Sequence, residues 1–104
     1  MSTLRFADTI PYDTPERLND LVGPVEGVVE VGPHIDTSAR PSYDLSDPGQ
    51  VRSLYTRVVR DGTVADQTRL LAASQLVALW PELLLPARCR AEWEARFEAL
   101  AARR

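Results

Sequence analysis

The sequence of 104 residues contains no lysine, a single cysteine and a single histidine. One cysteine excludes an internal disulfide and a cysteine-rich metal site. No apolar run approaches the ~20 residues that a membrane-spanning helix requires. The first residues also lack the apolar core of a secretory signal. We therefore expect a cytoplasmic protein that does not span a membrane.

The absence of lysine means that all 12 basic residues are arginine. We interpret this as the codon bias of a GC-rich bacterial genome. The alternative is that the planar guanidinium group is required for bidentate contacts with anions. That requirement could explain some of the arginines, but it does not explain why lysine is missing altogether.

Charge is spread unevenly along the chain. Residues 1–47 hold nine acidic residues and three arginines, whereas residues 48–104 hold nine arginines and six acidic residues. The first part therefore has a net charge of −6 and the second a net charge of +3. Such asymmetry can direct the choice of partner; the simpler interpretation is that both parts are solvated faces of one domain.

Length and composition predict one domain covering residues 1–104, because the apolar fraction of 44% is that of an ordinary globular protein. Within it, residues 1–46 form an acidic, extended part and residues 47–104 a helical part. The expected fold class is α+β, with a small N-terminal β-ribbon and a short helix, followed by a bundle of three to four helices.

The first part contains one predicted helix and two predicted strands. Thr14 and Pro15 form a helix start, and leucines at helical spacing lead to Gly23, which is expected to end the helix at positive φ. Residues 25–31, with the sequence VEGVVEV, predict a strand. Residues 41–45 predict its partner, with Tyr43 and Leu45 on one face.

The second part begins with a helix start at Asp47-Pro48, and Gln50 is placed to reach back. Apolar residues then follow at helical spacing on one stripe: Val51, Leu54, Tyr55, Val58 and Val59. Thr63 with Asp66 predicts a second cap. The next helix is expected to be bent or broken near residues 72–74 and to end before Pro81.

The last predicted helix opens at Pro86, after a leucine linker (residues 83–85) that we expect to be buried. One face of this helix carries Cys89, Trp93, Phe97 and Leu100. These side chains are expected to form core together with Trp80. Most of the charged residues fall off this face, and Glu92 and Arg96 are spaced to form an i, i+4 ion pair.

No residue pattern in the chain identifies a catalytic or metal site. His34 follows Gly32-Pro33 at a predicted surface turn, without a recognisable nucleophile or orienting partner. Cys89 lies on the apolar stripe and is expected to be a buried hydrophobe, although Arg88 and Arg90 could lower its pKa. We therefore predict a protein that is not an enzyme and uses no metal or cofactor.

Nucleic-acid binding is the alternative function. The arginines of the central helices could form a basic patch, and the short helices resemble a helix-turn-helix region: the residues are Arg52, Arg57, Arg60 and Arg69. Against this, the sequence pI of about 5.1 is acidic, whereas basic patches usually belong to basic domains. A small DNA-binding regulator is possible but not favoured.

A set of residues in the C-terminal half resembles a group of small bacterial proteins. The set consists of Tyr43-Asp44-Leu45, Leu54-Tyr55 with Val58, Leu79-Trp80-Pro81 with Leu83, and Leu85-Pro86 followed by Arg88, Arg90, Trp93-Glu94 and Phe97. The N-terminal phrase Asp8-Thr9-Ile10 with Tyr12-Asp13-Thr14-Pro15 belongs to the same resemblance. Members of this group are often encoded beside a nucleotidyltransferase-type (AbiEii-like) toxin, so the resemblance implies an antitoxin.

The implied role is direct binding to a cognate toxin enzyme. An acidic, poorly helical first part could fill the basic groove that such a toxin needs for RNA. The expected contact residues are Asp8, Tyr12, Asp13, Asp20 and Asp36. A third interpretation is a subunit of a larger assembly, for which size-exclusion chromatography would show a stable homo-oligomer; the sequence leaves the oligomeric state open.

Overall fold

The structure is a computed structural model, and it describes residues 12–39 and 41–103. A two-stranded antiparallel ribbon precedes a group of helices, which confirms the α+β class. The strands are β1 (Val28–Glu30) and β2 (Ser42–Asp44). The helices are α1 (Pro48–Asp61), α2 (Val64–Leu70), α3 (Ala73–Leu79), α4 (Ala87–Arg96) and α5 (Glu98–Ala101), with 3₁₀ turns at Leu18–Asp20 and Trp80–Glu82.

The short helix predicted after Pro15 is wrong, because the chain forms only the 3₁₀ turn Leu18–Asp20. A helix this short gains too few hydrogen bonds to form by itself. The backbone instead binds the junction of α2 and α3: the Gly23 N–H donates to the Leu71 carbonyl at 2.7 Å. Gly23 is required for this close approach and not for positive φ, since an added Cβ would lie 2.4 Å from the backbone carbon of Leu70.

The predicted ribbon is confirmed, with both strands shorter than expected. Val29 faces Tyr43 in the antiparallel register, and Gly27, at φ 92°, enters β1. Tyr43 and Leu45 are both buried, as the alternation indicated. Of the two strands, β2 makes the closer contact with α1, so the ribbon lies against the helices through this strand.

Helix α1 forms as its sequence predicts. The Asp47 carboxylate accepts the backbone N–H groups of Gly49 (2.9 Å) and Gln50 (3.3 Å), which satisfies donors that every helix start leaves free. Gln50 reaches back to the Asp47 carboxylate and also accepts the Asp44 N–H. The whole predicted apolar stripe of α1 is buried.

The break between the second and third helices is also confirmed. Thr63 and Asp66 form the predicted reciprocal cap of α2. The helix ends at Leu70, and Ala72 takes an extended conformation in which it pairs with Val22. The Ala72 N–H donates to the buried Tyr55 hydroxyl at 3.0 Å, so a side chain of α1 satisfies the backbone at the break.

The aromatic residues of the last third form the centre of the core, as predicted. Trp80 and Trp93 are fully buried with ring centroids 6.1 Å apart, and the rings of Trp93 and Phe97 are 5.8 Å apart. Pro81 lies inside a 3₁₀ turn, so the chain continues to turn through it. The last helix is not continuous, because Phe97 has extended geometry between α4 and α5.

Two details of this region differ from the predictions. The leucine linker is not wholly buried, because Leu83 is 1% exposed whereas Leu84 is 87% exposed. Glu92 pairs with Arg88 at 3.0 Å, and Arg96 donates to the Pro15 carbonyl at 2.9 Å. The Arg96 contact arises because the N-terminal segment packs against α4, which helical spacing alone cannot indicate.

Candidate functional site

A groove runs along one side of α1. Its volume is about 400 Å³, and its lining residues, which we call the arginine groove, are Arg52, Ser53, Thr56, Arg57, Arg60, Glu82 and Leu84. Residues 53, 56, 57 and 60 recur at helical spacing beside the buried stripe, so α1 has a core face and a groove face. The opposite wall comes from the segment after α3.

That opposite wall is positioned by Leu83. Its side chain is buried, and the neighbouring Leu84 is left in solvent at the edge of the groove. The Arg90 guanidinium donates to the carbonyls of Leu83 and Trp80, which holds this segment against α4. The groove therefore has an arginine-rich helical side and an opposite side with one apolar and one acidic residue.

The three guanidinium groups of the groove are compensated to different degrees. Arg60 places two nitrogens on the Asp61 carboxylate, at 2.9 and 2.8 Å. This hydrogen bond raises the pKa of Arg60 above its ordinary value. Arg52 lies 3.7 Å from Glu82, which is longer than a hydrogen bond.

Arg57 is the least compensated of the three. Its Nε donates weakly to Ser53 Oγ at 3.4 Å, and no carboxylate among residues 12–39 and 41–103 lies within ion-pair distance of it. Its charge also acts from a distance on Asp36, whose pKa it helps to lower. The groove thus offers one guanidinium with unused donors beside two partly engaged ones.

The structure brings together three of the four arginines predicted as a nucleic-acid site. Arg52, Arg57 and Arg60 all line the groove, whereas Arg69 does not. Arg69 is exposed in the last turn of α2. The predicted patch is therefore a smaller site on α1 alone.

A second surface lies in residues 20–30, which we call the valine–acid segment. Among the described residues, three of the five strongly exposed large apolar side chains occur here: Val22 (76%), Val25 (60%) and Val28 (66%). The segment also exposes three acidic residues: Asp20, Glu26 and Glu30. No arginine or lysine occurs between Arg17 and Arg40, so the exposed charge of residues 20–30 is wholly negative.

The edge of β1 adds free backbone groups to this surface. The Val31 N–H donates to the Pro41 carbonyl, and the Leu45 N–H donates to the Gly27 carbonyl. The backbone groups of residues 27, 29 and 31 therefore point toward β2. The alternation of an antiparallel ladder then directs the backbone of Val28 and Glu30 away from β2. Among the described residues, no other backbone group forms a hydrogen bond with these N–H and C=O groups.

The five predicted partner-binding residues have different environments. Asp8 lies outside the described residues. Asp13 and Asp20 are exposed, as a binding role requires. Tyr12 is instead half-buried, and the guanidinium carbon of Arg88 lies 5.4 Å from the centroid of its ring. The backbone N–H of Tyr12 donates to the Glu92 carboxylate.

Asp36, the fifth of these residues, has an internal role. The Tyr43 hydroxyl donates to its carboxylate at 2.6 Å and the Ser38 N–H at 2.8 Å. The Tyr43 bond, followed by the bonds from Ser38, lowers the pKa of Asp36 from 3.8 to about 2. Burial, followed by the Asp36 bond, raises the pKa of Tyr43 to about 12. This pair fixes the connection between the strands.

The two residues with catalytic potential, Cys89 and His34, have different environments. Burial, followed by the charges of Glu92 and Asp61, raises the pKa of Cys89 to about 11, so the arginines do not activate the thiol. His34 is exposed at its turn, as predicted, and its Nε2 lies 2.6 Å from Asp66 Oδ2. Across the described parts of the chain, no group of three or more His, Cys, Asp and Glu residues could hold a metal ion.

Two residues of these surfaces were missed by the sequence reasoning. Val28 was assigned to a strand without its solvent face being recognised, although a two-stranded ribbon with one face on the helices must expose the other. Leu84 was assigned to a buried linker, although three consecutive leucines in extended chain cannot all face one core. In both cases the overlooked signal was that successive side chains of an extended chain point in opposite directions.

Comparison of the chain with protein-family models, curated proteins and solved structures finds no match. In the described ranges, no helix has both the length and the apolar character needed to cross a membrane.

Proposed function

We propose that this chain is a non-catalytic protein-interaction module that acts in the cytoplasm and binds a basic protein partner through the valine–acid segment. The observation that carries the proposal is the concentration of exposed valines and acidic residues in residues 20–30, which contain no arginine or lysine.

Exposed apolar side chains grouped within one short segment are typical of binding surfaces. An interface of this type has an apolar centre surrounded by polar residues. Val25 and Val28 would supply the apolar contact, and Glu26 and Glu30 the charge that directs encounter with a basic surface. The free edge of β1 would add backbone hydrogen-bonding groups to the same contact.

The most concrete partner is a nucleotidyltransferase-type toxin, and the chain would then be its antitoxin. The sequence resemblance supports this choice. A toxin that transfers nucleotides to RNA needs a basic groove, and carboxylates of the valine–acid segment would occupy the places of RNA phosphates. Binding there would block the toxin without any catalytic contribution from this chain.

The test is isothermal titration calorimetry with a nucleotidyltransferase-type toxin, the proposed partner, using the double variant Glu26→Arg/Glu30→Arg. We expect its affinity to fall roughly tenfold or more, with a flatter dependence on salt, because like charges then face each other across the interface. Asp36 is left unchanged, since its reversal would break the Tyr43 hydrogen bond and perturb the fold.

The matched control is Glu16→Arg/Glu98→Arg, which changes the net charge equally at exposed positions outside residues 20–30. Its affinity should stay within about twofold of the parent. Equal losses in both double variants would contradict a localised contact, and absence of any complex would contradict the proposed partner.

A DNA-binding regulator is the second candidate function, and the observation that favours it is the grouping of Arg52, Arg57 and Arg60 in one groove. A gel-shift assay of the isolated chain on its own promoter, at about 50 and about 200 mM salt, separates the two functions. The interaction module predicts no shift. A salt-sensitive shift that Arg57→Ala abolishes would favour the regulator.

A further inference from the structure

We propose that the arginine groove binds a small phosphate-bearing ligand of the nucleotide class. This site is independent of the valine–acid segment. The phosphate would contact Arg57 and Arg52, and the less polar part of the ligand would lie across the groove against Leu84.

Arg57 provides the first reason. Guanidinium groups match phosphate oxygens with parallel donors, which makes arginine the preferred residue for such anions. Within the described part of the chain, Arg57 uses only its Nε, on Ser53, so its terminal nitrogens remain for a ligand. Ser53 accepts in that bond, and its hydroxyl also interacts with Tyr43, so Ser53 orients Arg57 and is not counted as a donor to the ligand.

The neighbouring groups define where the negative charge would lie. Arg52 is 44% exposed in its side chain and only loosely paired with Glu82, so its guanidinium can turn to an anion. Arg60 is held by Asp61 and would contribute through its charge. Thr56 donates its hydroxyl to the Arg52 carbonyl and takes no direct part.

The opposite wall gives the ligand its second feature. Leu84 presents an almost fully exposed apolar side chain at the edge, and Glu82 presents a carboxylate that can accept hydrogen bonds. A phosphate ion alone would make no favourable contact with Leu84 or with the Glu82 carboxylate. A nucleotide has a flat base to cover the leucine, and its ribose hydroxyls and base amines are donors for Glu82.

The size of the groove favours a small ligand over a nucleic-acid strand. Its volume of about 400 Å³ lies within the range of small-molecule sites. Among residues 12–39 and 41–103, no aromatic side chain lines it, whereas surfaces for single strands usually stack bases on aromatic rings. The net charge of −3 also opposes a long polyanion.

The test is titration of the full chain with ADP, inorganic phosphate and a ten-nucleotide DNA strand, followed by NMR and calorimetry. We expect saturable ADP binding with a Kd below about 1 mM and weaker binding of phosphate. Arg57→Gln should weaken ADP binding about tenfold or more. Arg69→Gln changes a residue outside the groove, and it should leave the ADP affinity within about twofold of the parent. Leu84→Ser should weaken ADP binding but not phosphate binding.

Three results would overturn the proposal: absence of saturable ADP binding, equal losses in Arg57→Gln and Arg69→Gln, or tighter binding of the strand than of ADP. Circular dichroism melting of each variant checks the fold. If Arg57→Gln does not fold, Arg52→Gln replaces it with the same expected direction. Because the valine–acid segment is unchanged in these variants, failure here leaves toxin binding unaffected.

Discussion

The ribbon part (residues 12–46) and the helical part (residues 47–103) use their apolar side chains differently. The helical part places Trp80, Trp93 and Leu54 at 0% exposure, whereas the ribbon part leaves Val22 and Val28 in solvent. The difference follows from geometry, because a helix surrounded by other helices buries its whole stripe, while a two-stranded ribbon has only one covered face. Most of the fully buried side chains therefore come from the helices, whereas the ribbon part combines buried residues such as Tyr43 with exposed valines.

The strongest way to break this comparison is to remove Trp93. Trp93→Ala should lower the free energy of unfolding by about 3–5 kcal/mol, because it deletes a buried ring between Trp80 and Phe97. Urea denaturation measures the loss. Val28→Ala is the matched change in the ribbon, and it should stay within about 0.5 kcal/mol of the parent. An unchanged midpoint for Trp93→Ala would contradict the assigned core.

A smaller effect is expected at the connection between the two parts. Gln67 is fully buried in α2, and its amide donates to the Asp13 carbonyl (2.8 Å) and to the Gly62 carbonyl (3.2 Å). Gln67→Ala should lower the free energy of unfolding by about 1–3 kcal/mol, because it leaves buried acceptors without a donor. Limited proteolysis should also cut earlier near Asp13. Equal cleavage rates would show that Gln67 does not hold this segment.

The pH dependence of the ribbon gives the next prediction. The folded-state pKa of Asp36 is lowered from 3.8 to about 2, so its contribution to stability is present above pH 3.8 and is lost as the pH falls toward 2. The pKa of Tyr43 is raised from 10.0 to about 12, so its contribution is present below pH 10 and is lost as the pH rises toward 12.

Tyr43→Phe removes this hydrogen bond while keeping the buried ring. Melting curves at several pH values should therefore show a smaller loss of stability for the variant than for the parent in both the acidic and the alkaline range. The variant should still lose some stability at acidic pH, because the pKa values of Asp44 and Asp66 are also lowered. Parallel curves for parent and variant would contradict the role of the pair.

The sequence predicted the helical part better than the ribbon part, and the reason is the range of the interactions. The stripe of α1, the Thr63–Asp66 cap and the face shared by Cys89 and Trp93 depend on residues close in sequence. The helix predicted after Pro15 does not form, because the backbone of this segment is hydrogen-bonded to residues about 50 positions away. No local pattern indicates such a contact.

The candidate surfaces could be predicted only in part for the same reason. Arg52, Arg57 and Arg60 share a helical face, so their grouping was visible in the sequence, but the wall made by Glu82 and Leu84 was not. Negative charge in the first part was also visible. Which carboxylates remain exposed depends on tertiary contacts, and Asp36 is bound by Tyr43 while Glu26 and Glu30 are exposed.

The most direct test of the proposed division between scaffold and recognition surface is hydrogen exchange of the chain alone and with the nucleotidyltransferase-type toxin proposed as its partner. We predict that the amides of Glu26, Val28 and Glu30 exchange rapidly in the free chain and become protected in the complex, whereas the groove face of α1 stays unchanged. Protection confined to residues 52–60, or no new protection in residues 20–30, would contradict the account.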